Sequence, residues 1–143
     1  MGKVDILINN AGIARSKTMA NITLHDWQEV INVNLTGTFN MCQIFTPGMI
    51  ERGWGRVVNI SSIAGRRGSL FGDVHYSAAK AGVIGFTKSL ARIVSPHGVT
   101  ANVVAPGIVK TGILSDEHHK ASLSRIPMGR AAEPEELASV ILF

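Results

Sequence analysis

The sequence has little cysteine, little charge and no long apolar run, and each shortage excludes a class of protein. Cys42 is the single cysteine among 143 residues, so neither an internal disulfide nor a zinc site of several thiolates can form. A reducing, cytoplasmic setting is therefore expected. Charged residues are 17% and apolar residues 45% of the chain, which excludes intrinsic disorder. No stretch approaches the roughly 20 apolar residues that span a bilayer, so no membrane partner is predicted.

Length, basic charge and glycine content further limit the class of protein to which the chain can belong. Fourteen basic residues exceed ten acidic ones, giving a net charge of +4, but they are scattered rather than clustered. Since nucleic-acid binding needs a basic face, no nucleic-acid partner is predicted. Fifteen glycines occur without a fixed period, which excludes collagen-like repeats. The length predicts one domain over residues 1–143.

Three short apolar runs, each ended by turn-forming residues, predict three buried strands. They are Lys3–Ile8 before Asn9-Asn10-Ala11-Gly12, Arg56–Ile60 before Ser61-Ser62, and Val99–Ala105 before Pro106-Gly107. Because the runs are almost continuously apolar, they are typical of parallel strands that are covered on both faces.

Helical spacing of apolar residues separates these strands. Thr23 is a candidate N-cap, with Asp26 three residues on as a near capping box. Helices are predicted at 26–52, at 73–94 and from Glu133 onward, with a loop at 65–72 and a polar, partly helical segment at 111–125. Alternating strands and helices of these lengths predict an α/β fold. The specific expectation is a partial Rossmann-like, doubly wound parallel sheet in three α-β-α layers, because right-handed crossovers place helices on both faces.

Tyr76 and Lys80 stand four residues apart in the second helix, so their side chains share one face. A phenol titrates near pH 10, and a nearby cation lowers the pKa of an acid by about 1–3 units. One lysine therefore lowers the pKa of the phenol only part of the way towards neutral pH, and a second positive charge is needed. Taken alone, this spacing favours an ordinary pair on the surface of an amphipathic helix.

Several motifs, each weak singly, change that interpretation when they are taken together. They occur in the order Asn9-Asn10-Ala11-Gly12, Asn34-Leu35, Ser62, Tyr76-Ser77-Ala78-Ala79-Lys80, and Pro106-Gly107 with Thr111. In this order, over essentially the whole chain, they resemble the short-chain dehydrogenase/reductase family, in the subtype that includes 3-oxoacyl-acyl-carrier-protein reductases.

The resemblance implies four catalytic residues. Tyr76 would be the general acid in carbonyl reduction and the base in alcohol oxidation. Lys80 would lower the pKa of Tyr76 and bind the nicotinamide ribose, and Asn34 would distort its helix and hold a water for a proton relay. Ser62 would polarise the substrate oxygen. Ser61 is the competing choice, but Ser62 better fits the family pattern Ser-hydrophobic-x-Gly, which ends here at Gly65.

The resemblance also implies NADP(H) or NAD(H) as cofactor, whose oxidised ring supplies the second positive charge beside the phenol. Hydride would move between the nicotinamide and a small-molecule ketone or secondary alcohol. A homo-oligomer, a dimer or tetramer, would form through helices 26–52 and 73–94. The implied cofactor-binding residues, beside Tyr76 and Lys80, are Asn10, Ala11 and Gly12 on the adenosine side, and Pro106, Gly107, Val109 and Thr111 at the carboxamide.

The sequence departs from the family pattern in three ways. The phosphate-binding turn Thr-Gly-x-x-x-Gly-x-Gly does not occur in it, nor do the strands around that turn or the family's last strand. Without this anchor, weak cofactor affinity is expected, together with an exposed first strand. The gap from Ser62 to Tyr76 is one or two residues longer than in the acyl-carrier-protein reductases, which affects the substrate-side loop.

The alternative interpretation is an inactive fragment or pseudoenzyme that acts as a dimerising or partner-binding module.

Other candidate residues favour ordinary roles. His118 and His119 are adjacent, so on a helix they point apart, and no metal site is predicted. Cys42 is expected in the core, with nothing nearby to lower its pKa. Arg66 and Arg67 are interpreted as a solvated pair, with contact to an acidic substrate or carrier as the other interpretation.

Overall fold

A computed structural model describes residues 2–71, 73–111 and 121–142. The chain divides into two compact units, 1–105 and 106–143. The histidine pair His118-His119 and most of the polar 111–125 segment lie outside the described residues. The single domain expected from the length stays a prediction.

The first unit is built on a parallel sheet of three strands in the order β1-β2-β3. The strands are β1 (Ile6–Asn9), β2 (Gly55–Ile60) and β3 (Val99–Val104). Leu7 pairs with Val57 in register, and Val57 with Ala101. All three predicted strands and their parallel arrangement are thereby confirmed, although β1 begins three residues later than expected.

The helices of the first unit also follow the prediction closely. One continuous helical stretch comprises α1 (Leu24–Ile31), a π-helical segment (Asn32–Thr36) and α2 (Gly37–Glu51). The second predicted helix is α4 (Val74–Val94). Its end is marked by a 3-10 turn at Ser95–His97 and by Gly98 in the left-handed region, φ +73°.

The start of α1 confirms the predicted capping box. The backbone N–H of Asp26 donates to Thr23 Oγ1 at 3.1 Å, and that of Thr23 donates to Asp26 Oδ2 at 2.9 Å. These two bonds satisfy donors that the first turn of a helix leaves without partners. Lys17 adds a cation to the same carboxylate at 2.8 Å.

The predicted loop at 65–72 is wrong in its first part, where residues Ala64–Arg67 form the single helical turn α3. The hydroxyl of Ser62 accepts a hydrogen bond from the backbone N–H of Ala64 at 3.1 Å, which helps to start the turn. Gly68 ends it with φ +85°, a conformation that favours glycine. One turn of helix is too short to show the periodic apolar pattern from which a helix is predicted.

Helices α2 and α4 pack on one face of the sheet and build the core. The buried cluster consists of Leu7, Cys42, Met49, Val57, Leu90, Val94, Val99 and Ala101. Burial raises the pKa of the Cys42 thiol, in agreement with its predicted place in the core. Consecutive strands joined by crossovers of one hand place their helices on the same side. The first unit therefore supplies one of the two predicted helical layers, and β1 and β3 alternate between buried and exposed residues.

The second unit contains a parallel bridge between Val109 and Ala132 and the helix α5 (Pro134–Leu142). The bridge has two backbone hydrogen bonds, Lys110 N–H to Ala132 O and Ala132 N–H to Ile108 O, each 2.9 Å. Pro134 opens α5, as the sequence predicts. Within 2–71, 73–111 and 121–142, no helix is long and apolar enough to cross a membrane.

Candidate active site

The candidate site lies at the carboxyl ends of β1 and β2, beneath the first turns of α4. In parallel α/β sheets this edge is where ligands bind. The segment Asn10–Gly12 leaves β1, and Ser61 and Ser62 leave β2. Tyr76 and Lys80 come from α4, and Asn34 from the π-helical segment.

Gly12 lies so close to Asn34 and Lys80 that the three residues form one cluster. A Cβ atom at position 12 would stand 2.7 Å from Asn34 Oδ1 and 3.3 Å from Lys80 Nζ. Glycine is therefore required here by a close approach between side chains and backbone. The structure thus brings together three site residues that lie up to 68 positions apart in the sequence.

Lys80 is a buried cation, with 4% of its surface exposed. Its ammonium group donates a 2.9 Å hydrogen bond to the carbonyl oxygen of Ile60, the last residue of β2. Nζ lies 5.7 Å from the centroid of the Tyr76 ring. Burial lowers the pKa of Lys80 to about 8, because removal from water disfavours the charged form.

The pKa of Tyr76 is raised from its ordinary value, and the lowering expected from Lys80 with an oxidised nicotinamide stays a prediction. Burial is the main cause. A side-chain hydrogen bond from Ser62 acts in the opposite direction, and the negative charge of Asp73 adds to the rise. In this arrangement the ammonium group of Lys80 donates its hydrogen bond to Ile60 O and not to the phenol.

The two candidate serines differ in what they contact. The Ser61 hydroxyl is buried and donates to the backbone carbonyl of Lys80 at 2.7 Å, so it fixes β2 to α4. The Ser62 side chain lies close enough to Tyr76 to lower the pKa of its phenol. Of the two, Ser62 is therefore placed as a reactive-site residue and Ser61 as a structural one.

Asn34 stands at the centre of the π-helical segment, and the predicted distortion of its helix is confirmed. Its amide nitrogen donates at 2.9 Å to both Val30 O and Ile13 O. The second bond joins the helix to the loop after β1. The oxygen Oδ1 is buried and has no hydrogen-bond partner among the described residues, so an acceptor is left beside Gly12 and Lys80.

The residues expected at the carboxamide belong to the second unit. Pro106 and Val109 are half-buried there, and Gly107 and Thr111 are exposed. Their contact with a nicotinamide stays a prediction. Among the residues of both units that the structure describes, no group of three histidine, cysteine or acidic side chains could hold a metal ion.

Sequence reasoning missed two groups at the candidate site, the Ile60 carbonyl and Asp73. The Ile60 carbonyl is a backbone group, and no side-chain pattern signals that it anchors Lys80. Asp73 was noted only as a candidate start of α4. An acidic residue three positions before the tyrosine was the available signal.

A parallel sheet with a serine, a tyrosine and a lysine at the carboxyl ends of its strands defines an α/β protein with an acid–base site. A family model described as short chain dehydrogenase matches residues 1–122. The chain belongs to the short chain dehydrogenase family, as its motifs predict.

Named relatives agree with this assignment. The 3-oxoacyl-[acyl-carrier-protein] reductase of Aquifex aeolicus is 50% identical over 143 residues, which cover 98% of this chain and 57% of that enzyme. The acetoacetyl-CoA reductase of Allochromatium vinosum is 47% identical over 146 residues, covering 100% of this chain and 59% of that enzyme. A crystal structure of a Brucella melitensis 3-oxoacyl-[acyl-carrier protein] reductase with bound NAD matches with TM-score 0.91 and 38% identity, over 96% of this chain and 53% of that one. The chain thus spans less than two thirds of the length of these relatives.

Proposed function

We propose that this chain carries the catalytic residues of an NAD(P)-dependent oxidoreductase that reduces a small-molecule ketone to a secondary alcohol. The observation that carries the proposal is the buried ammonium of Lys80, whose Nζ lies 5.7 Å from the centroid of the Tyr76 ring, with Ser62 close enough to the same phenol to lower its pKa. A hydroxyl that holds a carbonyl oxygen and a phenol that protonates it are the two groups that such a reduction needs. The names of the relatives support the same chemistry.

The residues present fit a nicotinamide cofactor. Asn10, Ala11 and Gly12 form an exposed backbone segment at the carboxyl end of β1. Gly12 leaves open the space that a side chain would fill beside Asn34 and Lys80. These three residues would hold the adenosine side, and Lys80 the ribose, as the resemblance implies. When bound, a reduced NADP(H) or NAD(H) supplies the hydride that adds to the carbonyl carbon.

The chain's own residues handle the substrate oxygen and the proton. Ser62 donates a hydrogen bond to the carbonyl oxygen and keeps it within reach of Tyr76. Tyr76 transfers its hydroxyl proton to that oxygen, so the C=O double bond becomes a C–OH group and a phenolate is left. With a pKa of about 8, Lys80 exchanges protons near neutral pH and stabilises the phenolate. A water on the free Asn34 Oδ1 would connect Lys80 with solvent.

Binding and turnover test the proposal directly. Purified chain is titrated with NADPH and with NADH, and reduced-cofactor consumption is followed with acetoacetyl-CoA. Tyr76→Phe is expected to lower turnover by about 10²–10⁴-fold, because the proton donor is lost. Trp54→Phe, an exposed aromatic in the turn before β2, is the control and should retain full turnover. Undiminished turnover in Tyr76→Phe, or no saturable binding of either cofactor, contradicts the proposal for this chain.

A second candidate function, a dimerising or partner-binding module, rests on the exposed apolar surface of the helices. Exposed apolar residues on α2, Phe39, Met41 and Ile44, support self-association through helices 26–52 and 73–94. Sedimentation is expected to show a dimer or tetramer that Ile44→Lys dissociates, whereas Met19→Lys, at another exposed apolar position but outside these helices, leaves it intact. A monomeric parent chain contradicts this part.

A further inference from the structure

The short helix α3 approaches α4 through Gly65 so closely that the two backbones are in contact. A Cβ atom at position 65 would lie 2.6 Å from the carbonyl carbon of Lys80, 2.8 Å from Lys80 O and 2.8 Å from the backbone nitrogen of Ala81. These are backbone atoms inside a helix, so they cannot rotate aside as the end of a flexible side chain can. Glycine is therefore required at position 65 by the close approach of one backbone to another.

The peptide group that Gly65 contacts belongs to the buried lysine of the candidate site. The Ser61 hydroxyl donates to the same carbonyl, Lys80 O, at 2.7 Å. The ammonium group of Lys80 donates in turn to Ile60 O at 2.9 Å. The short segment from the last residue of β2 to Gly65 thus holds Lys80 both at its backbone and at its ammonium group. We call Ser61 and Gly65, which contact the backbone, the Lys80 support.

The position of Lys80 keeps water away from its ammonium group. Lys80 is 4% exposed, and its Nζ lies so near Gly12 that a Cβ there would stand 3.3 Å from it. Burial lowers the pKa of Lys80 to about 8, and no charged side chain contributes to this shift. The titratable side chains on the described elements that pack against α4 are Arg66, Arg67, His25, Asp26, Glu29, Cys42, Glu51, Arg56 and His97. The pKa of Lys80 therefore reports how completely water is excluded from it.

We propose that the Lys80 support positions Lys80 for the proposed reduction. Because residue 65 has no side chain, α3 closes on the Lys80 peptide group, and the ammonium group stays out of water near the Tyr76 ring. Gly65 and Ser61 act through Lys80 and are therefore positioning residues. The inference rests on the proposed role of Lys80 in exchanging protons. It also gives a physical reason for the glycine that ends the Ser-hydrophobic-x-Gly pattern, which begins at Ser62.

Titration of the lysine side chain tests the inference directly. Lysines that carry isotope labels at Cε and Nζ are followed by NMR against pH, and the Lys80 signal is the one that is absent in Lys80→Met. Gly65→Ala is expected to raise the midpoint of Lys80 by about one pH unit, because the new methyl group forces α3 and α4 apart and admits water. Gly85→Ala makes the same change in the same helix, at a position where a Cβ meets nothing within 4 Å. It is the matched control and should leave the midpoint at the value of the parent chain.

A purely structural contact would give a different result. In that case Gly65→Ala unfolds at a lower urea concentration but keeps the parent midpoint for Lys80, and this outcome overturns the proposal. If circular dichroism shows that Gly65→Ala does not fold, Ser61→Ala decides instead. That change removes the hydrogen bond to Lys80 O and leaves Gly65 in place, so a smaller upward shift supports the proposal and an unchanged or lower midpoint overturns it. The titration needs neither cofactor nor substrate, so its failure is distinguishable from a failure of the proposed enzyme activity.

Discussion

At the scale of single residues, Gly12 joins the loop after β1 to the two side chains that lie against it. Gly12→Ala is expected to lower the free energy of unfolding by about 1–3 kcal/mol, because the new methyl group would stand 2.7 Å from an Asn34 oxygen. Two hydrogen bonds hold the side-chain amide of Asn34 in place, so it cannot easily move away from the new methyl group. Urea unfolding followed by circular dichroism measures the change.

Gly85 provides the matched control for this prediction. It lies exposed within α4, and a Cβ there meets nothing within 4 Å. Gly85→Ala should therefore raise the free energy of unfolding by about 0.5–1 kcal/mol, since alanine favours the helix. Equal effects of the two substitutions would contradict the close approach at Gly12.

Lys80 leads to a prediction about pH. Its pKa is about 8 in the folded chain, against an ordinary value of 10.5. Between these values the unfolded chain binds more protons, so the free energy of unfolding gains a positive contribution of about 1 kcal/mol per pH unit. The unfavourable effect of the buried cation is complete below about pH 8 and disappears as the pH rises towards 10.5.

The comparison with Lys80→Met isolates this contribution. Cys42 and Tyr76, whose pKa values are raised, make the folded state less stable as alkaline pH increases, but they do so in both proteins. The difference between the two unfolding free energies should therefore shift in favour of the parent chain from about pH 8 upward. A difference that stays constant over this range would show that the lysine is not held in a dry environment.

The sequence predicts which residues form the candidate site but not their electrostatics. The four-residue spacing of Tyr76 and Lys80 places both on one helix face, and this is a local property. The direction of the shift in each pKa depends first on burial and, for Tyr76, also on Ser62 and Asp73. Burial is a product of packing between distant segments, so the four-residue spacing alone does not predict it.

At the scale of elements, the π-helical segment is the link between the helical layer and the loop after β1. Asn34→Ala removes the bonds to Val30 O and Ile13 O. The free energy of unfolding should fall by about 1–3 kcal/mol, because buried carbonyls lose their donor. Amide hydrogen exchange in the loop around Ile13 should accelerate more than exchange elsewhere in the sheet.

Asn40→Ala is the control for this element. Asn40 lies exposed on α2, so its loss should change the unfolding free energy by less than about 0.5 kcal/mol. If both substitutions accelerate exchange at the loop equally, the link through Asn34 does not exist.

The helix itself was predictable from apolar periodicity and from the Thr23–Asp26 box. The π-helical geometry was expected only from the family resemblance, because hydrophobic spacing does not distinguish it from a regular turn.

At the scale of the whole molecule, the sequence predicts that the strands are more buried than they are in the structure of the first unit. Ile6 and Ile8 point away from the helical layer and are 57% and 44% exposed, while Leu7 between them is buried. Their apolar character led to the prediction that both faces of the strand are covered. An apolar run shows that a strand favours burial, but it does not show which elements pack against it. Within the described residues, β1 pairs with β2 alone.

An apolar strand at the edge of a sheet is a site for pairing between chains. Ile8→Lys is therefore expected to slow aggregation of the 143-residue chain several-fold in light scattering, because a charge on an edge strand opposes strand addition. Leu24→Lys, which places the same charge on another exposed apolar position at the start of α1, should have little effect. An equal reduction by both would assign the aggregation to general apolar exposure. A reduction confined to Ile8→Lys, with unchanged circular dichroism, would assign it to the edge of β1.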